Sequence, residues 1–210
     1  MIPGAYTYAE ATIQRKQQER QPEQQHRQRQ SQQPSTLHKT VLISDSVCRS
    51  IRNRDIKMSI DRRSETSITS KHPGATANQI KHYNDYFLKE EKPNRVIISA
   101  GLNDLLYERD GNIEEIVDRV VDIGKRAKES GVSDIFILGL YKPEEYVNIK
   151  DFNSFLMEKC TEYNFGFVPN SNIELGDLFD GLHVNNKSGN KKLKHNILQC
   201  FKTYNYNPCY

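Results

Sequence analysis

The chain has 210 residues, a length that suits one folded domain with an extension better than two full domains. Six of the 30 basic and three of the 27 acidic residues fall in residues 1–40, which leaves 24 of each sign in residues 41–210. A neutral folded part gives little support to nucleic-acid binding. A bilayer span is excluded, because no stretch approaches the roughly 18 apolar residues that one needs.

Residues 1–38 are predicted to be disordered, because they are rich in Gln and charge and contain Pro22 and Pro34. Ten Gln lie within residues 14–33. The first sixteen residues contain no apolar core of a secretory signal, so a cytoplasmic location is expected, with the nucleus as the alternative. In such a compartment the four cysteines are expected to be free thiols; they are Cys48, Cys160, Cys200 and Cys209.

Short apolar runs after residue 40 predict buried strands. In chain order they are 40–44, 95–99, 134–140 and a weaker run at 164–168, with a further edge strand at 55–60.

Amphipathic helical patterns separate these runs, over 76–90, 112–131, 151–163 and 186–201. Thr76 and Asn112 are typical N-caps, and Gly131 is a typical stop signal. Apolar strands that alternate with amphipathic helices predict a parallel sheet covered on both faces. The expected architecture is a three-layer α/β/α sandwich with about five strands, over residues 39–203, followed by a short tail at 204–210.

Small or polar residues follow the predicted strands, where parallel sheets place their functional loops. Each residue alone has a structural explanation: a helix-capping Ser, a turn Gly, a capping Asn-Asp pair or a surface His. The segments are Ser44-Asp45-Ser46, His72–Thr76, Ala100–Asp104 and Asp180–His183.

The order DS, G, GxND and DxxH resembles the blocks of the SGNH/GDSL family of esterases and lipases. The resemblance covers residues 40–201, and it implies a flavodoxin-like sandwich and ester hydrolysis without a metal or organic cofactor. Carried over residue by residue, it implies that Ser46 is the nucleophile, His183 the general base and Asp180 the group that orients it. The implied oxyanion hole consists of Ser46 N–H, Gly74 N–H and the Asn103 side-chain amide.

One residue departs from the family pattern, whose first block normally reads Gly-Asp-Ser. Ser44 stands in the place of the glycine. The glycine usually permits a tight turn or close packing beside the nucleophile, so the departure bears directly on activity.

Two basic clusters favour an alternative, a weakly active or inactive module that binds RNA or protein. Some domains of this superfamily have lost the catalytic residues and are associated with RNA, and related domains occur in proteins of LINE-type retrotransposons. The disordered arm, and Tyr204 and Tyr206 in the tail, add to this alternative. The basic residues are Arg49, Arg52, Arg54, Lys57, Arg62, Arg63, Lys187, Lys191, Lys192 and Lys194.

The expected substrate is a small-molecule or lipid ester, with a short acyl or acetyl group. Its pocket is expected from loops at 61–72, 104–111 and 141–150, and Tyr141 or Tyr146 is a candidate ligand contact. A monomer is the default expectation for a domain of this size.

Overall fold

The computed structural model describes residues 38–57, 65–108, 111–142 and 148–202. The predicted disordered segment lies outside these ranges apart from His38, as do the C-terminal tail, Tyr146 and Cys209. Cys48, Cys160 and Cys200 are buried free thiols, as expected. In the described part of the chain, no helix is both long and apolar enough to cross a membrane.

Five parallel strands form one sheet in the order β2-β1-β3-β4-β5. They are β1 (His38–Ser44), β2 (Glu65–Lys71), β3 (Arg95–Ser99), β4 (Asp134–Leu138) and β5 (Gly166–Val168). The apolar side chains of the central strands β1 and β3 are fully buried, because helices cover both faces.

Within the described ranges, six α-helices connect and cover the strands: α1 (Asn53–Lys57), α2 (Ala77–Glu91), α3 (Leu102–Tyr107), α4 (Ile113–Glu129), α5 (Ile149–Tyr163) and α6 (Gly189–Lys202). Helix α4 packs against both α2 and α5, and α1 packs against α6. The predicted three-layer α/β sandwich with a five-stranded parallel sheet is confirmed. Thr76 and Asn112 are the N-caps of α2 and α4, as predicted.

The edge strand was predicted at the wrong place. Residues 53–57 form helix α1, whose Ile56 is buried, and residues 58–60 lie outside the described ranges. The edge strand is β2, within the predicted loop 61–72. Its sequence ETSITSK has a single apolar residue, Ile68, and the side chains of residues 66–71 are only partly buried. An apolar-run criterion therefore misses it. Residues 104–107 of another predicted loop belong to helix α3.

The strand order changes direction between β1 and β3. From this point the chain runs to β2 on one side and to β4 and β5 on the other. In doubly wound sheets the crevice for ligands opens at the carboxyl ends of the two strands at such a point. Ser44 at the end of β1 pairs in register with Ser99 at the end of β3. The segments that follow these residues therefore start side by side.

Gly101 connects β3 to α3 in a conformation that only glycine adopts readily, with φ of +105°. A Cβ atom there would lie 2.7 Å from Cζ of Phe152 on α5. We expect Gly101→Ala to lower the free energy of unfolding by about 2–4 kcal/mol, from backbone strain and overpacking together. Gly131 (φ +90°) has open space around a Cβ, so Gly131→Ala should cost only about 1 kcal/mol. Urea denaturation of both variants measures the difference, and equal losses would contradict the packing argument.

Candidate active site

Ser46 begins a single 3₁₀ turn directly after β1. Asp45, and not Ser46, is its N-cap: Asp45 Oδ1 accepts a hydrogen bond of 2.9 Å from Val47 N–H. The Asp45 N–H donates to the Ser99 carbonyl at 3.1 Å, which fixes the turn against the end of β3. Ser46 is 8% exposed. The turn thus holds a nearly buried serine at the switch point of the sheet.

Ser44 accommodates its side chain without backbone strain. It is the last residue of β1 and is fully buried, and Lys92 and Asn164 are the non-glycine residues with positive φ among those described. Position 44 therefore does not require the conformational freedom of glycine. Burial raises the pKa of the neighbouring Cys48 thiol to about 12, and nearby Ser99 and Ser44 hydroxyls oppose this rise. Ser44 thus lies beside Ser99 of the neighbouring strand, and both hydroxyls are close to Cys48.

Gly74 and Asn103 come together from different strand ends. Gly74, with φ of +80°, lies exposed in the segment between β2 and α2. The Asn103 side-chain amide donates to the carbonyl of the next residue, Ala75, at 2.9 Å, and Asn103 is 6% exposed. An amide nitrogen carries two hydrogens, so one remains for another acceptor.

Asp104 fastens the same two segments together. Its Oδ2 accepts from Ala77 N–H, in the first turn of α2, at 2.8 Å. Arg119 of α4 lies 3.8 Å from its other oxygen. Burial raises the pKa of Asp104, while the Ala77 N–H and Arg119 oppose the rise. The Asn103-Asp104 pair does not cap α3, as one structural explanation supposed, because it lies within the first turn after Gly101.

Asp180 and His183 form a hydrogen-bonded pair in the segment before α6. His183 Nδ1 lies 2.7 Å from Asp180 Oδ2, and Asp180 Oδ1 accepts from the backbone N–H groups of His183 and Leu182. Burial alone would raise the pKa of Asp180, but hydrogen bonds from the His183 ring and these N–H groups lower it to about 2. The carboxylate is therefore ionised at neutral pH and holds the ring with Nε2 directed away from it.

Tyr141 ties the segment after β4 to the histidine segment. Its hydroxyl donates to the Leu182 carbonyl at 2.9 Å, and its side chain is buried. Burial raises the pKa of Tyr141, and the charges of Asp45 and Asp180 raise it further. Both carboxylates thus lie within electrostatic reach of one phenol.

No hydrogen bond joins Ser46 to His183 among the described residues, and such contacts are often long before substrate binds.

Two further residues of the site had no role in the sequence-based prediction. Asp104 follows Asn103 at the end of β3, and its position there was the available signal. Phe179, 57% exposed, stacks on the His183 ring with centroids 5.9 Å apart. Phe179 stands directly before Asp180 in the sequence, but this position alone does not indicate that its ring contacts His183.

The basic clusters are partly neutralised. Lys194 lies 3.0 Å and Arg52 3.8 Å from Asp55, and Lys192 lies 2.7 Å from Asp177. Arg62 and Arg63 lie outside the described residues, together with the tail tyrosines. The ion pairs leave less positive charge for a polyanion, and RNA binding stays a prediction.

Asp45 is expected to make stability depend on pH. Burial raises its pKa to about 7, with Asp104 adding to the rise, whereas the ordinary value of 3.8 applies in the unfolded chain. The folded state therefore retains the proton more tightly. This stabilisation is complete below about pH 4 and is lost as the pH rises through about 7.

An Asp45→Asn variant lacks this titration. We expect the free energy of unfolding of the wild type, minus that of the variant, to fall by on the order of a few kcal/mol between about pH 4 and pH 8. Urea denaturation across this range measures it. Asp118→Asn, which removes a half-exposed carboxylate on α4, controls for net charge. A difference that stays constant with pH would contradict the prediction.

Solved structures that share this architecture include three hydrolases. A GDSL-like lipase from Bacteroides thetaiotaomicron is 16% identical over 79% of this chain and 88% of its own, with a TM-score of 0.66. A psychrotrophic esterase from Pseudoalteromonas, inhibited by monoethylphosphonate, is 16% identical over 80% and 98%, with a TM-score of 0.65. An acetylxylan esterase from Geobacillus stearothermophilus is 15% identical over 78% and 94%, with a TM-score of 0.65.

At the level of sequence, no family model and no curated protein matches the chain. The likeness is therefore one of fold, and it extends over nearly the whole length of each of these hydrolases. The strand order and the position of the Ser46 turn at the switch point agree with it. The chain has the SGNH/GDSL hydrolase fold.

Proposed function

We propose that the protein is a serine esterase that cleaves a carboxylic ester through Ser46, His183 and Asp180. The observation that carries the proposal is the 2.7 Å hydrogen bond between Asp180 Oδ2 and His183 Nδ1. A free histidine side chain exchanges tautomers and rotates, whereas an ionised carboxylate at Nδ1 fixes the proton there and leaves Nε2 as the base. A serine hydroxyl needs such a base to become a nucleophile.

The mechanism follows from these roles. Ser46 Oγ attacks the ester carbonyl carbon while its proton passes to His183 Nε2, and the carbonyl oxygen takes the negative charge. The imidazolium, stabilised by Asp180, gives the proton to the leaving alkoxide as the C–O bond breaks. A water molecule then attacks the acyl carbon and loses a proton to His183. The bond between the acyl carbon and Ser46 Oγ breaks, His183 returns the proton to Ser46 Oγ, and the carboxylic acid is released.

The oxyanion hole in this proposal uses Ser46 N–H, Gly74 N–H and the second hydrogen of the Asn103 amide. The support is local: Asn103 is held 2.9 Å from the carbonyl of Ala75, the neighbour of Gly74. Donors fixed in advance stabilise developing charge without reorganising during the reaction. Asp104 contributes by holding Ala77, and with it the Gly74 segment, against α3.

Two of the structurally similar hydrolases provide independent support for this assignment. For the Geobacillus acetylxylan esterase, two structures are described as catalytic mutants, one with a histidine and one with an aspartate replaced by alanine, and the aspartate precedes the histidine by three positions. Asp180 and His183 have the same spacing. Inhibition of the Pseudoalteromonas esterase by a phosphonate is the behaviour expected of an activated nucleophile.

A short acyl group, acetyl in particular, is the proposed substrate portion on the acyl side. The acetylxylan esterase supports this, as does the small exposed fraction of Ser46. A series of p-nitrophenyl esters of increasing acyl length should show kcat/KM highest for acetate. A maximum at long chains would instead favour a lipid ester.

Labelling with a fluorophosphonate tests the hydrolase proposal directly. The probe should form one adduct, located on Ser46 by peptide mass spectrometry, and Ser46→Ala should abolish it. Ser44→Ala is the matched control, because Ser44 is also buried and lies two residues away; this variant should still be labelled. Absence of an adduct on folded wild-type protein, or an adduct that persists in Ser46→Ala, would refute the mechanism.

A further inference from the structure

The Phe179 ring contacts both an arginine side chain and the proposed catalytic histidine. The Arg49 guanidinium carbon lies 4.8 Å from the centroid of the Phe179 ring. The Phe179 ring in turn stacks on the His183 imidazole, with an angle of 22° between the rings. The Phe179 ring thus contacts both the guanidinium and the imidazole, and it holds the guanidinium by a cation–π interaction.

The backbone of Arg49 is also anchored. Its N–H donates to the Ser46 carbonyl at 3.1 Å, three residues earlier, and its carbonyl accepts from Lys71 Nζ at 3.1 Å. The guanidinium therefore extends from a fixed point on the turn that carries the proposed nucleophile.

Arg49 differs from its paired neighbours in the basic clusters. Arg52 and Lys194 share Asp55, and Lys192 pairs with Asp177. Among the described residues, no carboxylate pairs with the exposed Arg49 side chain. Its five N–H donors, in a planar fork that matches a carboxylate, are thus available to a ligand.

A cavity of about 400 Å³ opens at this guanidinium. It is lined by Arg49, Ser50, Phe179, Val184, Asn185 and Asn186, and no described lining residue is acidic. Asn185 Oδ1 already accepts three backbone N–H groups, its amide donates to the Gly176 carbonyl, and Ser50 Oγ is bonded to Asn190. The charged donor available in this lining is therefore Arg49.

We propose that this cavity binds a carboxylate on the alcohol portion of the ester, with Arg49 as the specificity-determining residue. The inference rests on the proposed esterase function. His183 must protonate the leaving alkoxide, so the alcohol leaves past the imidazole. The cavity lining includes Phe179, whose ring stacks on that imidazole, and Val184, the residue after His183. The oxyanion donors Gly74 and Asn103 belong to other segments.

Binding of a product-like alcohol tests the site without requiring turnover. Calorimetry should show that 3-hydroxybenzoate binds the wild type at least about tenfold more tightly than the neutral 3-hydroxybenzamide. Arg49→Gln should abolish this preference, and Arg49→Lys should retain part of it. Arg54→Gln is the matched control, because it removes a charge from the same cluster at an exposed residue outside the cavity lining.

Hydrolysis assays then determine whether the recognised carboxylate belongs to the alcohol portion or to the acyl portion of the ester. Arg49→Gln should lower kcat/KM for 3-acetoxybenzoate at least about tenfold and leave phenyl acetate nearly unchanged. Equal losses on both esters, or binding of 3-hydroxybenzoate unaffected by the substitution, would overturn the proposal. A selective loss with phenyl hydrogen succinate, which carries its carboxylate on the acyl side, would overturn the assignment to the alcohol.

The two proposals fail separately. Wild-type protein that takes no fluorophosphonate and hydrolyses no ester refutes the esterase, whereas the binding measurement with 3-hydroxybenzoate still decides whether Arg49 forms an anion site.

Discussion

His183→Ala is expected to lower kcat for an activated acetate ester by roughly 10⁴- to 10⁶-fold, because the variant has no base for the Ser46 proton and no acid for the leaving group. KM should change far less, since the ring contributes mainly to the transition state. Stopped-flow or steady-state kinetics with p-nitrophenyl acetate measure the loss.

Asp180→Asn tests the orientation of the His183 ring by Asp180 separately from the proton transfer by His183. The amide keeps the size of the carboxylate but removes the charge that holds the Nδ1 proton, so kcat should fall by roughly 10²- to 10⁴-fold. The double variant should be little worse than His183→Ala alone, because the two residues act as one unit.

Exposed histidines provide the control for this series. His82 on α2 and His195 on α6 do not line the proposed site, and His195→Ala should retain full activity. A His183→Ala protein that folds normally and keeps more than about a tenth of wild-type turnover would exclude the proposed base.

The sheet was predictable where burial is complete. β1 and β3 are continuous apolar runs because helices cover both of their faces, and periodicity of the intervening segments identified the long helices and two of their caps. β2 was missed because an edge strand is partly exposed and its Thr and Ser side chains resemble a loop sequence. The predicted edge strand at 55–60 failed because one buried residue, Ile56, fits one turn of helix as well as a strand.

The candidate site was likewise predictable from the sequence only in part. The order of Ser46, Gly74, Asn103, Asp180 and His183 could be taken from a family pattern, because local motifs persist in sequence. The contact of Asp104 with Ala77 could not, since it joins residues 27 positions apart in the chain. The stacking of Phe179 on His183 is local, but it forms in a segment without helical or strand periodicity, so no sequence pattern indicated it. The role of Arg49 likewise required the structure, because sequence alone cannot separate a paired cation from one without a carboxylate.

Asn103→Ala is the second large expected effect. Loss of one oxyanion-hole donor typically costs about 10²- to 10³-fold in kcat, with little change in KM. The same substitution also removes the 2.9 Å hydrogen bond to the Ala75 carbonyl from a side chain that is 6% exposed, so some loss of stability is expected as well.

Asn196→Ala separates the two effects of the Asn103 substitution. Asn196 on α6 is 5% exposed and donates to Asn170 Oδ1 at 2.8 Å, outside the proposed site. Both variants should lose about 1–3 kcal/mol in urea denaturation, but only Asn103→Ala should lose kcat. If the two variants had equal turnover at equal stability, Asn103 would be a structural residue. The oxyanion would then have to rely on the Gly74 and Ser46 backbone N–H groups alone.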